Sequence, residues 1–241
     1  MPGSFKTEAV VLRTIRFGEA DRVLHLYSPT EGRVGAIAKG VRRPRSRFGG
    51  RLEPFFRLDL VLHRGRGDLA TVTAAETREG YPLLRSTGDA LSAAARACDA
   101  VLRLLDSTEP NPPAYNLLCR YLALLDDPVT VAPAASLAGR LAFRIKLALA
   151  AGFAPELARC ARCGEAEHLA GFSGAAGGMV CSSCEGGSFP LSGAARGFMA
   201  AALGKPLAEL PEAAERDLRQ ADRAIAETLE YHAHVQLRAA A

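Results

Sequence analysis

No run approaching the ~18 consecutive apolar residues of a membrane-spanning helix occurs in the 241 residues. The opening stretch MPGSFKTEAVVLR lacks a basic segment followed by a long apolar one, so the sequence reads as that of a cytosolic protein. Nucleotide-binding fingerprints of the G-x-x-x-x-G-K-[ST] and G-x-G-x-x-G types are missing. So is the H-x-E with P-C-x-x-C pattern of zinc deaminases. The five histidines are scattered, and neither His25 nor His63 stands beside a nucleophile or a paired acid. Glu19 and Asp21 in GEAD read as turn carboxylates rather than a catalytic pair. Nothing here demands an enzyme, and no internal repeat is present.

Acid is scarce in one region above all. Residues 1–80 carry 15 Lys and Arg against 9 Asp and Glu, a surplus of +6, whereas the remainder carries −2, so the net +4 conceals an uneven distribution. Between Arg33 and Arg66, 10 basic residues face only Glu53 and Asp59. The stretch AKGVRRPRSRFGGRLEPF packs Lys39, Arg42, Arg43, Arg45, Arg47 and Arg51 beside the single acid Glu53. Such a field attracts a polyanion, although a charge run can also be a plain solvated face. Guanidinium forks suit phosphate oxygens, and Phe48 beside Gly49 and Gly50 is a candidate for stacking on a base. Arg57, Arg64 and Arg66 extend the charge beyond the loop.

With 49% hydrophobic residues the chain can fill one large core or two to three small ones. From Lys6 to Arg78 short strand-like runs alternate with glycine and charge. In RLDLVLH, Leu58, Leu60 and Leu62 fall on one face and Asp59, Val61 and His63 on the other, the period of a half-buried strand. Five such runs predict a small barrel of the OB-fold type spanning residues 1–80, with the basic loop between its third and fourth strands. After Tyr81-Pro82 the pattern turns helical. A capping box is expected at Ser86 and Asp89, a second helix near Pro113, a third from about Ala134 to Ala151, a short one from Ser192 to Leu203, and a long one from Pro211. Residues 81–156 and 188–241 are read as one α-helical domain interrupted by a cysteine-rich insertion at 157–187, giving a multidomain α+β architecture.

That insertion carries the strongest local signal, C-x2-C-x17-C-x2-C at Cys160, Cys163, Cys181 and Cys184. Two knuckles can bring four thiolates to one ion, which predicts a structural Zn2+ in a zinc-ribbon-like unit. A fourth ligand from His168, a metal-free vestige and a redox-active pair are weaker alternatives. Full thiolate ligation leaves no open position for hydrolytic chemistry. Cys98 and Cys119 fall on apolar helix stripes and read as core.

GEADRVL, AKGVRRPRSRFGGRLEPF and the AAE that closes the fifth strand, together with the cysteine pattern, resemble the RecO family of bacterial recombination mediators. The resemblance spans the chain. It implies a non-enzymatic role in homologous-recombination repair at the nucleoid: binding single- and double-stranded DNA, annealing complementary strands, and working with RecR, in some pathways RecF, to load RecA onto strands coated with single-stranded DNA-binding protein (SSB). The family's basic motif falls on Lys39, Arg42, Arg43 and Arg47, with Arg45, Arg51, Arg57 and Arg64 as local additions to the DNA-binding set. Arg140, Arg144, Lys146 and Arg196 are weaker candidates outside the barrel. The charge and rings alone fit an RNA-binding OB protein equally, and the cysteines alone fit a zinc-ribbon transcription regulator.

Overall fold

The computed structural model describes residues 3–106 and 108–238, in two compact units, 1–127 and 128–241. The first is built on five strands: β1 (Gly3–Phe17), β2 (Asp21–Ser28), β3 (Gly32–Ala38), β4 (Arg57–Arg64) and β5 (Ala70–Glu79). Their order β1-β2-β3-β5-β4 closes through β4 back onto β1, with β3 and β5 parallel and every other pair antiparallel. This is the five-stranded OB-fold barrel the alternation predicts. Leu58, Leu60 and Leu62 do face inward, meeting Leu24, Leu26, Val34 and Val72 in one core. A bulge between Val11 and Arg13 bends the long first strand so that it can serve both neighbours.

Three helices belong to the same unit: α1 (Pro82–Ser86), α2 (Gly88–Leu104) and α3 (Pro112–Leu125). The change of chemistry at residue 81 is a change from strand to helix. Ser86 does not open α2 as expected; Pro82 starts a short helix earlier, and the Ser86 hydroxyl closes it by donating to the Leu83 carbonyl at 2.8 Å. Asn111 caps α3 by accepting from the Ala114 N–H at 3.0 Å. Cys98 and Cys119 are buried on α2 and α3, where burial pushes both thiols up in pKa and leaves them inert.

α2 packs on β1 and α3 on β2. One carboxylate ties this layer together: Glu8 on β1 accepts from the buried Tyr115 hydroxyl of α3 at 2.6 Å and from the Arg57 guanidinium of β4, with Arg78 of β5 at 3.6 Å. Burial alone would raise the Glu8 pKa; the bonds from Arg57 and Tyr115 and the charges of Arg57 and Arg78 outweigh it and hold the group below its usual 4.5. A carboxyl depressed in the folded state stabilises above its unfolded pKa and loses that contribution as pH falls through the folded value. Glu8→Gln should therefore cost about 2 kcal/mol in urea unfolding at neutral pH, and the gap from the parent should close in acid. An equal gap across the acid range would show that the charge is not what Tyr115 and Arg57 need.

The second unit holds α4 (Val131–Ala135), α5 (Leu137–Ala150), α6 (Gly193–Gly204) and α7 (Glu215–Ala233), with the hairpin β6 (Leu169–Ser173) and β7 (Gly178–Cys181) between α5 and α6. The single helix expected from Ala134 to Ala151 is broken at Ser136, whose hydroxyl caps α5 by accepting from the Gly139 N–H at 3.2 Å. The last helix starts four residues later than Pro211 predicts, at Glu215, where Glu215 and Asp217 complement its N-terminal dipole. α5, α6 and α7 pack mutually. Arg144, expected among the weaker DNA contacts, is buried on α5 and committed to Asp222 and the Arg238 carbonyl. Among the described residues, no helix is long and apolar enough to cross a membrane.

Candidate nucleic-acid interface and metal centre

The basic loop leaves β3 at Ala38 and is fixed at both ends. The Gly40 N–H donates to the Asp21 carboxylate at 2.7 Å, and the Arg42 N–H donates to the Ala20 carbonyl at 2.9 Å. GEAD is thus the strut for the loop, a role its turn composition did not reveal. At the far end the Phe55 N–H donates to the Val11 carbonyl at 2.8 Å, and the Val11 N–H to the Phe56 carbonyl at 2.9 Å. Between these ends Phe48 and Leu52, the two large apolar side chains of residues 42–52, drop into the barrel core. Phe48 is only 2% exposed, so it anchors the loop and is withdrawn from base stacking. Its ring carries the Arg47 guanidinium 4.9 Å from its centroid.

With its apolar side chains turned inward, the loop turns its charge outward. Lys39, Arg42, Arg43, Arg45, Arg47 and Arg51 are all exposed. Glu53, the loop's own acid, is taken by Arg22 of β2 at 2.6 Å. Among the described residues, no acid pairs with any of the six cations, and Lys39, Arg43 and Arg45 have no side-chain hydrogen bond. The other two candidates stand apart. Arg57 is held by Glu8, and Arg64 pairs with Glu31 at 2.6 Å while its guanidinium sits over Phe5. Arg57 is structural first, since moving it to a phosphate would strand Glu8.

In the second unit the four cysteines converge: the sulfurs of Cys160, Cys163, Cys181 and Cys184 all lie within 4.8 Å of one another. Cys163 and Cys181 are 3.7 Å apart, far beyond the ~2.05 Å of a disulfide and close to the edge of a tetrahedron with ~2.3 Å metal–sulfur bonds. Backbone N–H groups, that of Cys181 foremost and then those of Cys163 and Arg162, point at the Cys160 sulfur and bring its pKa down to about 6. Cys184, crowded by the thiols of Cys181, Cys163 and Cys160, is pushed up to about 12. Four adjacent sulfurs cannot all ionise without a cation among them, and this donor set fits a soft divalent metal. Arg162 clamps the knuckles by donating to the carbonyls of Cys184 at 3.0 Å and Gly186 at 3.1 Å. His168 stays outside the cluster.

A barrel with such a loop, joined to a helical region bearing a four-cysteine cluster, finds its match in two family models. Recombination protein O N terminal matches residues 1–81, and Recombination protein O C terminal matches residues 85–240. The chain belongs to the RecO family. Among curated RecO relatives, the DNA repair protein RecO of Rubrobacter xylanophilus is 39% identical over 230 residues, covering 92% of this chain and 88% of the relative. That of Thermobifida fusca is 37% identical over 232 residues, with 95% and 93% covered. That of Anaeromyxobacter dehalogenans is 35% identical over 238 residues, with 94% and 91% covered. RecO membership makes this a DNA repair protein of the recombination-mediator kind.

Proposed function

We propose that this chain binds single- and double-stranded DNA through Lys39, Arg42, Arg43, Arg45, Arg47 and Arg51, with Arg64 and Arg57 at the margin, and anneals complementary strands. The observation that carries the reading is the loop itself: six exposed cations, with the one local acid neutralised by Arg22, on an anchored scaffold. Two DNA strands repel through their phosphates. A protein that neutralises those phosphates and leaves base edges free lowers the barrier to pairing without covalent chemistry, so the reading needs no catalytic residue. In the cell it would act in the cytoplasm, at the nucleoid, with RecR and in some settings RecF, on strands covered by SSB, preparing them for RecA. The four cysteines would hold Zn2+, the metal best suited to closed tetrathiolate coordination, in a structural role.

The test is annealing of two complementary oligonucleotides, each precoated with SSB, followed by fluorescence quenching across a salt series. Acceleration that fades as salt rises, with both strands intact, is the expected result. Strands bound but not annealed faster would remove the mediator reading, and a stronger grip on matched RNA would replace it with an RNA-binding one.

A further inference from the structure

The loop that carries the cations is a relay of turns, in which a carbonyl accepts from the N–H three residues on. Gly40 accepts from Arg43 at 3.1 Å, Arg43 from Ser46 at 3.0 Å, Ser46 from Gly49 at 3.3 Å, and Phe48 from Arg51 at 3.1 Å. The first three links run head to tail, so the course of each turn is set by the one before it. Phe48 and Leu52 fix the far half in the barrel core, and Val41 packs partly buried against the same core. Arg42, Arg43 and Arg45 lie between these anchors, on turns whose first link is Gly40.

Gly40 itself has a φ of 66°, in the left-handed region that glycine tolerates best. Its N–H is taken by the Asp21 carboxylate at 2.7 Å, a short bond because the acceptor is charged. The next residue but one, Arg42, gives its own N–H to the Ala20 carbonyl. Beside Asp21, Arg22 holds Glu53 at 2.6 Å. Two consecutive residues at the start of β2 thus grip both ends of the loop, a carboxylate at its first turn and a guanidinium at its last acid.

By charge alone, Asp21 is out of place. It stands under a loop of six exposed cations, and among the described residues it forms no ion pair. Its charge therefore repels the phosphates that the loop attracts. Its hydrogen bond works the other way. A loop held in one course before binding does not have to be ordered on the ligand, so less of the attraction is spent on lost conformational freedom.

We infer that Asp21 is a positioning residue for the nucleic-acid site, which strengthens phosphate binding through the Gly40 N–H in spite of its negative charge. The inference rests on the reading of the loop as a DNA site and deepens it: the cations supply the attraction, and Asp21 supplies the course of the chain that presents them.

The two effects have opposite signs, and substitution separates them. The test is fluorescence anisotropy of the full chain with a thymidylate oligomer and with a duplex across a salt series, with a melting curve for each variant. Charge alone would make Asp21→Ala bind more tightly; it should instead bind both probes about tenfold more weakly. The log–log salt slope should stay parental, since no cation is lost. Asp21→Asn, which keeps an acceptor oxygen and drops the charge, should bind at least as tightly as the parent. Gly40→Ala alters no charge, and its Cβ would meet nothing nearer than the Arg43 Cδ at 3.6 Å, but it disfavours the left-handed turn. It should weaken binding as Asp21→Ala does, and it decides the matter by the same criterion if Asp21→Ala does not fold. A folded Asp21→Ala or Gly40→Ala with parental or tighter binding overturns the inference. So does an Asp21→Asn as weak as Asp21→Ala, because the held N–H would then not be what matters. Arg42→Glu with Arg43→Glu is the reference: parental affinity in that variant would end the loop reading and the positioning role together.

Discussion

Arg42→Glu combined with Arg43→Glu should lower affinity for single- and double-stranded DNA about a hundredfold at about 0.1 M salt. The magnitude follows from counterion release: each phosphate contact contributes a slope of about 0.7 to 0.9 in the log–log salt plot, so losing two flattens it by about 1.4 to 1.8. Near 0.1 M that loss is a factor of roughly 25 to 60, and two new carboxylates add repulsion. The fold should be untouched. Arg43 has no side-chain hydrogen bond, and Arg42 makes one long, exposed contact at 3.5 Å to the Gly18 carbonyl. Salt-dependent anisotropy beside a melting curve reads both halves of the expectation. A folded double variant with parental affinity and slope would move the DNA site off this loop. Arg57→Ala behaves differently in the same assay, because it leaves the Glu8 carboxylate without its guanidinium partner and shows mainly as lost stability.

The contrast between Arg42 and Arg57 also marks what a sequence can and cannot disclose. Alternation at Leu58, Leu60 and Leu62 places β4 correctly because strand period is a local property, and the two C-x2-C pairs disclose a four-sulfur cluster able to hold a metal because each knuckle is closed within four residues. The charge of the loop is equally local. What the loop does with Phe48 is not: whether a loop aromatic points to solvent or plugs a barrel end depends on the space left by β1, β3 and β5. The signal available was that Phe48 and Leu52 stand one helical turn apart in an otherwise polar stretch, the pattern of an anchor rather than of a lone stacking ring. The partners of Arg57 and Arg64 lie at Glu8 and Glu31, so their commitment becomes visible only when β1 closes on β4. Helix ends show the same division. Asn111, Ser136 and Ser192 cap as their chemistry predicts, although the break that puts Ser136 at a helix start was not foreseen, while Ser86 closes a short helix that Pro82 opens.

Removing the metal ligands should loosen the second unit far more than the barrel. Cys160→Ser with Cys181→Ser is expected to abolish zinc binding and to cost that unit about 3 kcal/mol or more. The reason lies in the composition of the cluster around the sulfurs. It consists of Cys160, Val180 and Cys181, flanked by Leu169, Ala176 and Cys184, so half of it is cysteine, while Phe172 and Met179 are buried on the same hairpin. Strands of four and five residues contribute little stability of their own, so a bound ion should supply much of the order around the cysteines. The damage should spread to α7, on which the hairpin rests. Gly174 approaches α7 so closely that a Cβ would lie 2.6 Å from that of Glu227, its carbonyl is 3.0 Å from His232 Nε2, and the Arg223 guanidinium lies 3.9 Å from the Phe189 ring centroid. Hydrogen exchange read peptide by peptide separates the possibilities. Protection should fall across 157–187 and along α7 and persist in β1 to β5, with zinc measured by atomic emission dropping to zero. Parental protection in the hairpin after complete metal removal would mean that the four sulfurs meet for some purpose other than holding it together.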